Sequence, residues 1–345
     1  MTSIAFIGDE SLLIECATTA RAAGASVVAV STRSAVVRER AEIEGFRVIG
    51  SEDLLSFLVD HPVDVLFSIA NEYVVSDDVI GRVRLAVNFH DGPLPDYKGL
   101  AVTTWALFHG EPRHAVTWHT MTTEVDAGEI VLAESFDIAP DETAFSLNAR
   151  CYETALRTFP DVLQLVMSDQ PALSAQADRP GKWFGRYQRP IVLLDPTTPA
   201  VELDRAVRAL ALGPRIRNRL GAVRWVVGDR ALLVTATEVV AASGRPAGTV
   251  VLTDRGVQLA TADGDLLVTE LTTLDGDDLQ PDALAALVGQ APATDAALLE
   301  HLGGADEHFA RHETFWLDRL GRFHDARPTH LHLDAQHSWS RATVP

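Results

Sequence analysis

At 345 residues, 47% hydrophobic and 22% charged, the chain has a globular composition and the length for one large core with a smaller one beside it. Its formal net charge of −19, from 48 acidic against 29 basic side chains, argues against nucleic acid as a partner, because a basic face is needed to neutralise phosphates. No stretch approaches the ~18 apolar residues of a spanning helix. The opening Met1-Thr2-Ser3-Ile4 has no basic leader, so a cytoplasmic protein without a membrane partner is expected.

In chain order, the apolar run 4–7 ends at Gly8 and reads as a strand, and residues 11–23 follow with helical periodicity. Residues 27–30 are the next strand and 35–44 the next helix. Val48-Ile49, a helix over 52–59 and a strand over 65–69 complete the alternation. Apolar strands alternating with helices predict a doubly wound, mostly parallel, Rossmann-like α/β sheet. Gly8-Asp9-Glu10 lacks the second and third glycines of a dinucleotide fingerprint. The run 85–87 leads into Asn88-Phe89-His90, residues 116–121 and 130–136 read as strands, and 143–167 as a long helix bent or interrupted near Pro160.

The prolines between Arg189 and Pro199 mark a linker. A helix over 201–211 then precedes the runs 223–227, 231–239, 248–252, 257–261 and 266–271, punctuated by Gly228, Gly244, Gly256 and Gly264. Short strands at this spacing predict a small β-barrel. An Ala-rich helical stretch follows, so the expected division is 1–195, 196–285 and 286–345. Cys16 and Cys151 lack metal-ligand spacing and read as reduced, buried thiols. His308 and His312 stand four apart without a third ligand at matching spacing, so no metal is expected. Arg205, Arg208, Arg215, Arg217 and Arg219 form a basic run, but acids surround it.

The chemistry concentrates in Asn88-Phe89-His90 and Asp126-Ala127-Gly128-Glu129-Ile130. Strand alternation sends Asn88 and His90 to one side. The run into Pro93-Leu94-Pro95 puts both at a carboxyl edge, where open parallel sheets place their ligand crevices. An amide and an imidazole can there grip an oxygen that becomes negative, while a carboxylate orients the imidazole and moves protons. Taken singly, Asn88 can cap a turn, His90 can bond a backbone carbonyl and Asp126 can cap the Ala127-Gly128 turn. Their combination points to transfer of an acyl group to an amine. His119, seven residues before Asp126, either lines the same pocket or packs against Trp118 or Trp105.

A longer pattern surrounds them: Val87-Asn88-Phe89-His90-Asp91-Gly92-Pro93-Leu94-Pro95-Asp96-Tyr97-Lys98-Gly99, then Trp105-Ala106-Leu107, Gly110-Glu111, Val116-Thr117-Trp118-His119 and Val125-Asp126-Ala127-Gly128-Glu129-Ile130. Over about residues 1–195 the chain resembles the formyltransferases that use 10-formyl-tetrahydrofolate, whose acceptors include methionyl-tRNA, glycinamide ribonucleotide, sugar amines and peptide-synthetase substrates. Gly92-Pro93 departs from the Ser-Leu usual in that family. The resemblance implies that Asn88, His90 and Asp126 are catalytic and that 10-formyl-tetrahydrofolate is the donor. It also implies that backbone groups of Asn71, Glu72, Tyr73 and Val74 meet the pterin, with Val79 as an apolar wall. Asn88 and a protonated His90 would then stabilise the oxyanion formed by amine attack, one such donor being worth about 3 kcal/mol. Asp126 would keep His90 cationic and relay the amine's proton.

More loosely, Val207-Arg208-Ala209-Leu210 and Gly244-Arg245-Pro246-Ala247-Gly248-Thr249-Val250 resemble the OB-like C-terminal domain many of these enzymes carry. The segment from Glu307 to Leu320 resembles the region that precedes an adenylation or condensation domain in a peptide synthetase. A short aromatic-striped helix docking on its own protein is the other reading. This tail, the acidic charge and the shortness of 32–44, where methionyl-tRNA formyltransferases usually carry a basic insertion, point to one acceptor. It is an aminoacyl group tethered to a carrier protein of a nonribosomal peptide synthetase, with adjacent synthetase domains as further partners. Hydroxyornithine of the siderophore type and an aminosugar nucleotide are alternatives within the same chemistry. A formyltransferase fold serving as a non-catalytic docking module is the alternative of another class.

Overall fold

Strands that are apolar at every position need cover on both faces, and the first half of the chain supplies it with helices. The computed structural model describes residues 1–168, 170–213, 216, 218–227, 230–289, 300, 302, 305, 308–313, 315, 316 and 319. Its first elements are β1 (Ser3–Ile7), α1 (Leu12–Ala22), β2 (Ser26–Ser31), α2 (Ala35–Ile43), β3 (Val48–Ile49), a 3-10 turn at Ser51–Asp53 leading into α3 (Leu54–Asp60), and β4 (Val63–Ile69). Then come α4 (Asp77–Ile80), β5 (Val83–His90), β6 (Tyr97–Gly99), α5 (Val102–His109), β7 (Arg113–Thr120), β8 (Ile130–Asp137), α6 (Ala144–Met167) and β9 (Lys182–Phe184). Seven strands form one sheet in the order β3-β2-β1-β4-β5-β7-β8. The pairings from β3 to β5 are parallel, and β5–β7 and β7–β8 are antiparallel. The mostly parallel sheet read from the alternation is therefore present, with its direction of pairing reversed beside β5.

On one face of the sheet, Phe6, Phe67, Trp118 and Phe159 meet as a cluster of rings, with centroids 5.2–6.3 Å apart. Burying each such side chain is worth roughly 1.5–3 kcal/mol. Trp118, fully buried, donates its indole N–H to the Thr158 hydroxyl of α6 at 3.0 Å. Helix α6 is started by Thr143, whose hydroxyl accepts from the Ser146 amide in a reciprocal capping box. It runs on through Pro160 to Met167, so the proline does not end it.

The later elements are α7 (Ala200–Leu210), β10 (Val223–Val227), β11 (Arg230–Val240), β12 (Val250–Thr253), β13 (Gly256–Ala260), β14 (Asp265–Thr273) and α8 (Pro281–Ala285). The five strands form a second, antiparallel sheet in the order β10-β11-β14-β13-β12. The described pairings leave β10 and β12 at its two ends. Leu203, Val207 and Leu210 of α7 pack with Trp225, Val234, Leu259 and Leu266 in a core that also takes in Tyr97, Val102 and Trp105. Helix α5 thus belongs to the first half in sequence and to the second core in packing. The linker joins in too, because Leu194 donates its amide to Arg224 O at 2.8 Å. Most of the expected extension over 286–345 lies outside the described residues. Within it, 308–313 is helical, Ala310 is buried, and Glu313 pairs with Arg189.

Candidate active site

β4, β5 and β7 bring the polar residues together. Ser68 on β4 lies opposite Asn88 on β5, and Asn88 lies opposite His119 on β7. Asn88 and His90, two residues apart, line the same cavity as alternation requires. The turn after β7 folds Asp126 back over them. Gly128 permits this turn, since a Cβ there would stand 1.8 Å from Thr120 O. His90 Nδ1 lies 3.8 Å from Asp126 Oδ2, and His119 Nε2 lies 3.5 Å from Asp126 Oδ1. His90, His119 and Asp126 are all buried.

Hydrogen-bond partners set the tautomers. His119 Nδ1 donates to Thr120 O at 2.8 Å; Nε2 accepts from Asn88 Nδ2 at 3.2 Å in the neutral ring and, when it carries a proton, faces Asp126 Oδ1 at 3.5 Å as a donor. One amide N–H of Asn88 is so engaged, and its second is available to the cavity. His90 Nε2 donates to Tyr97 O at 2.7 Å, so in the neutral ring Nδ1 offers its lone pair on the side of Asp126. Burial pushes the Asp126 carboxyl up. The His90 charge, the His119 hydrogen bond and the Gly99 amide, 2.8 Å from Oδ2, outweigh it and bring the carboxyl down to about 2. Asp126 is therefore a carboxylate at neutral pH, placed to stabilise a proton on either imidazole.

These groups face a cavity of about 1090 Å3. A pocket for one drug-sized ligand occupies roughly 300–1,000 Å3, so this volume has room for a large ligand and the arm of a second. Asn71, Glu72, Tyr73 and Val74 all line it. Several of their polar groups are already engaged. Asn71 Nδ2 donates to Tyr73 O at 2.9 Å, the Tyr73 amide donates to Asn71 Oδ1 at 3.2 Å, and Arg186 donates to Glu72 O at 2.6 Å. Val79 packs into the core with Leu54, Phe57 and Val75, while its neighbour Ile80 lines the cavity. Arg33, Arg186 and Arg219 stand at the cavity too, beside Asp9, Glu10 and Glu72. Burial raises the Glu10 carboxyl, helped by Glu72 and Asp9.

Gly92, at the departure from Ser-Leu, sits where a Cβ would come within 2.8 Å of Val102 Cγ2 and 2.9 Å of His90 Nε2. Its carbonyl accepts from the Thr117 hydroxyl at 2.8 Å, and that hydroxyl accepts in turn from the Leu94 amide at 3.4 Å. The sequence reading left His119 between two roles, and the structure places it in the polar group. It missed the parts played by main chain, namely Tyr97 O and Gly99 N. It also missed Gln176, whose Nε2 donates to Asp126 O and Gly128 O at 3.0 and 2.8 Å. Backbone contacts carry no side-chain signature, and Gln176 stands 50 residues from its partner.

Residues 4–163 match the family model described as formyl transferase. The fold is similar to WlaRD, a sugar 3-N-formyltransferase crystallised with dTDP and 5-N-formyl-tetrahydrofolate, at 13% identity and a TM-score of 0.59 over 80% of this chain and 98% of that one. It is also similar to an N-formyltransferase from Helicobacter canadensis in complex with folinic acid and dTDP-3-aminofucose, at 15% identity and a TM-score of 0.61 over 78% and 99%. HypX from Aquifex aeolicus, in complex with tetrahydrofolic acid, is similar at 17% identity and a TM-score of 0.58 over 82% of this chain and 46% of that one. The segment matched by the family holds Asn88, His90, His119 and Asp126. Over residues 4–163 the chain is thus similar to formyl transferases, and its fold is similar to that of enzymes crystallised with folates.

Proposed function

We propose that this chain moves the formyl group of 10-formyl-tetrahydrofolate to an aminoacyl group tethered to a carrier protein of a nonribosomal peptide synthetase. The observation that carries the transfer is the convergence of one amide, two imidazoles and one ionised carboxylate on a single cavity. Asn88 directs its unengaged N–H to the oxygen that gains charge as the amine attacks. His90 takes up or holds the proton at Nδ1, and Asp126 stabilises the imidazolium. The residues that would hold the folate are the loop Asn71–Val74 with Ile80 and the turn carrying Asp126. When bound, the folate supplies the activated one-carbon unit.

The acceptor rests on other features. The net charge of −19 disfavours tRNA, whose binding draws most of its affinity from phosphate neutralisation. Helix α2, Ala35–Ile43, follows β2 after a short turn, leaving no room for a basic insertion. The cavity of about 1090 Å3 has the volume for a flexible arm beside the donor. A second reading is an aminosugar nucleotide, favoured by likeness, over nearly their whole length, to a sugar 3-N-formyltransferase and to an N-formyltransferase in complex with dTDP-3-aminofucose. Arg33, Arg186 and Arg219 at the cavity suit its phosphates. Hydroxyornithine is kept as a third acceptor. We also read the chain as cytoplasmic and as three parts: a catalytic domain over 1–195, an OB-like domain over 196–285 and a helical extension over 286–345. The five-stranded sheet and the core around Trp225 support the second, although that core also takes in Tyr97, Val102 and Trp105. Among the described residues no helix is long and apolar enough to cross a membrane.

The test is incubation with 10-formyl-tetrahydrofolate and, in parallel at physiological salt, aminoacyl-carrier, aminosugar nucleotide, hydroxyornithine and Met-tRNA, with product mass as readout. Formylation of the aminoacyl-carrier is expected. Efficient formylation of the sugar or the tRNA instead overturns the acceptor and leaves the chemistry standing. Folate binding without turnover of any amine favours a docking module.

A further inference from the structure

Two landmarks of the sequence pattern, the side chains of Tyr97 and Glu111, take no part in the chemistry described so far. Yet the strand that carries Tyr97 touches both reacting side chains. Its first residue accepts the His90 Nε2 proton at 2.7 Å through its carbonyl, and its last, Gly99, donates its amide to Asp126 Oδ2 at 2.8 Å. A three-residue strand thus fixes one atom of the imidazole and one of the carboxylate.

So short a strand has little hold on its own conformation, and its fixity comes from neighbours. β6 pairs in parallel with β9, Tyr97 opposite Lys182 and Gly99 opposite Phe184. The Tyr97 ring stacks on Phe184 with centroids 5.4 Å apart. Its hydroxyl donates to Glu111 Oε1 at 2.6 Å and lies 3.0 Å from Nδ1 of His109, the last residue of α5, with Glu111 two residues beyond it. Lys182 Nζ stands 3.4 Å from the hydroxyl and 3.5 Å from Glu111 Oε1. Tyr97 itself is buried. The hydroxyl is therefore tied by a charge-assisted bond to a different segment from the one its backbone serves.

We propose that Tyr97 and Glu111 are positioning residues for formyl transfer. The bond between them holds β6 at the distance that keeps the His90 proton on Nε2 and an Asp126 oxygen toward Nδ1. If that bond is lost, β6 is free to recede, the proton redistributes over the His90 ring, and Asp126 loses an amide donor. This inference rests on the catalytic reading of His90 and Asp126.

Tyr97→Phe keeps the ring on Phe184 and removes only the hydroxyl. It is expected to lower kcat by about tenfold to a hundredfold, as small misplacements of reacting groups do. KM for donor and amine should change little, and the acid limb of the kcat–pH profile should move. Glu111→Gln retains an acceptor for the hydroxyl and should stay within a few-fold of the parent. Glu111→Leu should match Tyr97→Phe, and the two together should cost no more than either. A second readout needs no turnover: the 15N shifts of the His90 ring should report the Nε2–H form in the parent and a mixture in Tyr97→Phe. Should Tyr97→Phe fold poorly, the Glu111 pair carries the same test. Parent-like kcat, pH profile and ring shifts in Tyr97→Phe or Glu111→Leu overturn the proposal, and so does a loss confined to KM or to thermal stability. His90→Ala run alongside separates the two levels. If it stays active, the catalytic reading fails. If it is dead while Tyr97→Phe is unaffected, only the positioning role fails.

Discussion

Left-handed backbone is distributed differently in the two halves of the chain. Around the mostly parallel sheet, three non-glycine residues have positive φ: Ala70 at 48°, Ala101 at 54° and Asp126 at 54°, and all three line the cavity. Beyond residue 196, the positive φ angles among the described residues fall on glycines, including Gly213, Gly221, Gly244, Gly248 and Gly256. A side chain held in that region costs roughly 1–2 kcal/mol. The second half gives such positions to glycine, whereas the first, besides glycines such as Gly99 and Gly110, keeps three strained ones at the cavity. Strain of this kind persists only where the surroundings over-determine it. At Asp126 those surroundings are Gln176 on its carbonyl and Gly99 on its carboxylate.

Removing the polar groups themselves should have the largest effect. His90→Ala and Asp126→Asn are each expected to cost about a hundredfold or more in turnover, with the fold retained. The double variant should be little worse than either, and steady-state kinetics with circular dichroism checks both points. Full activity in the single variants would reduce these residues to structural roles.

Next comes the acid stability of the first half. The Asp126 carboxyl is depressed to about 2 in the folded chain from an ordinary value of 3.8. Its contribution to stability is thus complete above the unfolded value and lost as pH falls through the folded one. By linkage that amounts to about 2 kcal/mol. The stability gap between parent and Asp126→Asn, read from denaturant unfolding, should shrink by that amount between pH 5 and pH 2. A gap that does not change with pH removes the argument.

Smaller effects sharpen the contrast between the two halves. Ala101→Gly should relieve its backbone and raise stability by up to about 1 kcal/mol. Gly221→Ala, at φ 98° with open space around a Cβ, should lower it by about as much. Thermal unfolding decides both, and equal signs would abolish the contrast. The smallest expected signal is thiol reactivity. Burial raises both Cys16 and Cys151 above the ordinary thiol range, so neither should react with a thiol reagent until the chain unfolds.

The strands and helices of the first half were legible because burial on both faces leaves continuous apolar runs such as 65–69. Asn88, His90 and Asp126 were legible as a set because strand alternation and the flanking pattern bound them together. Helix α5 escaped the periodicity reading: Val102 to Leu107 are all buried, so it has no polar face to betray its period. Strands β6 and β9 escaped because each has only three residues and their pairing spans 85 positions. Val79 was assigned to the cavity and lies in the core, since a four-residue helix turns its successive side chains to different sides. The pairing reversal beside β5 has no signature in strands that are apolar on both faces.

All the buried residues of the first core except Val166 lie within the first 163 residues, where the family match ends. Gln176 and the strand Lys182–Phe184 come after it. During synthesis, then, the sheet can consolidate while the backbone of Asp126 and the strand beside His90 still wait for partners up to 85 residues downstream. A nascent chain with only its first 167 residues free to fold would display the diagnostic side chains on a formed scaffold without the supports that aim them. Competence for catalysis would be acquired later than foldedness, as a separate event in the life of the polypeptide.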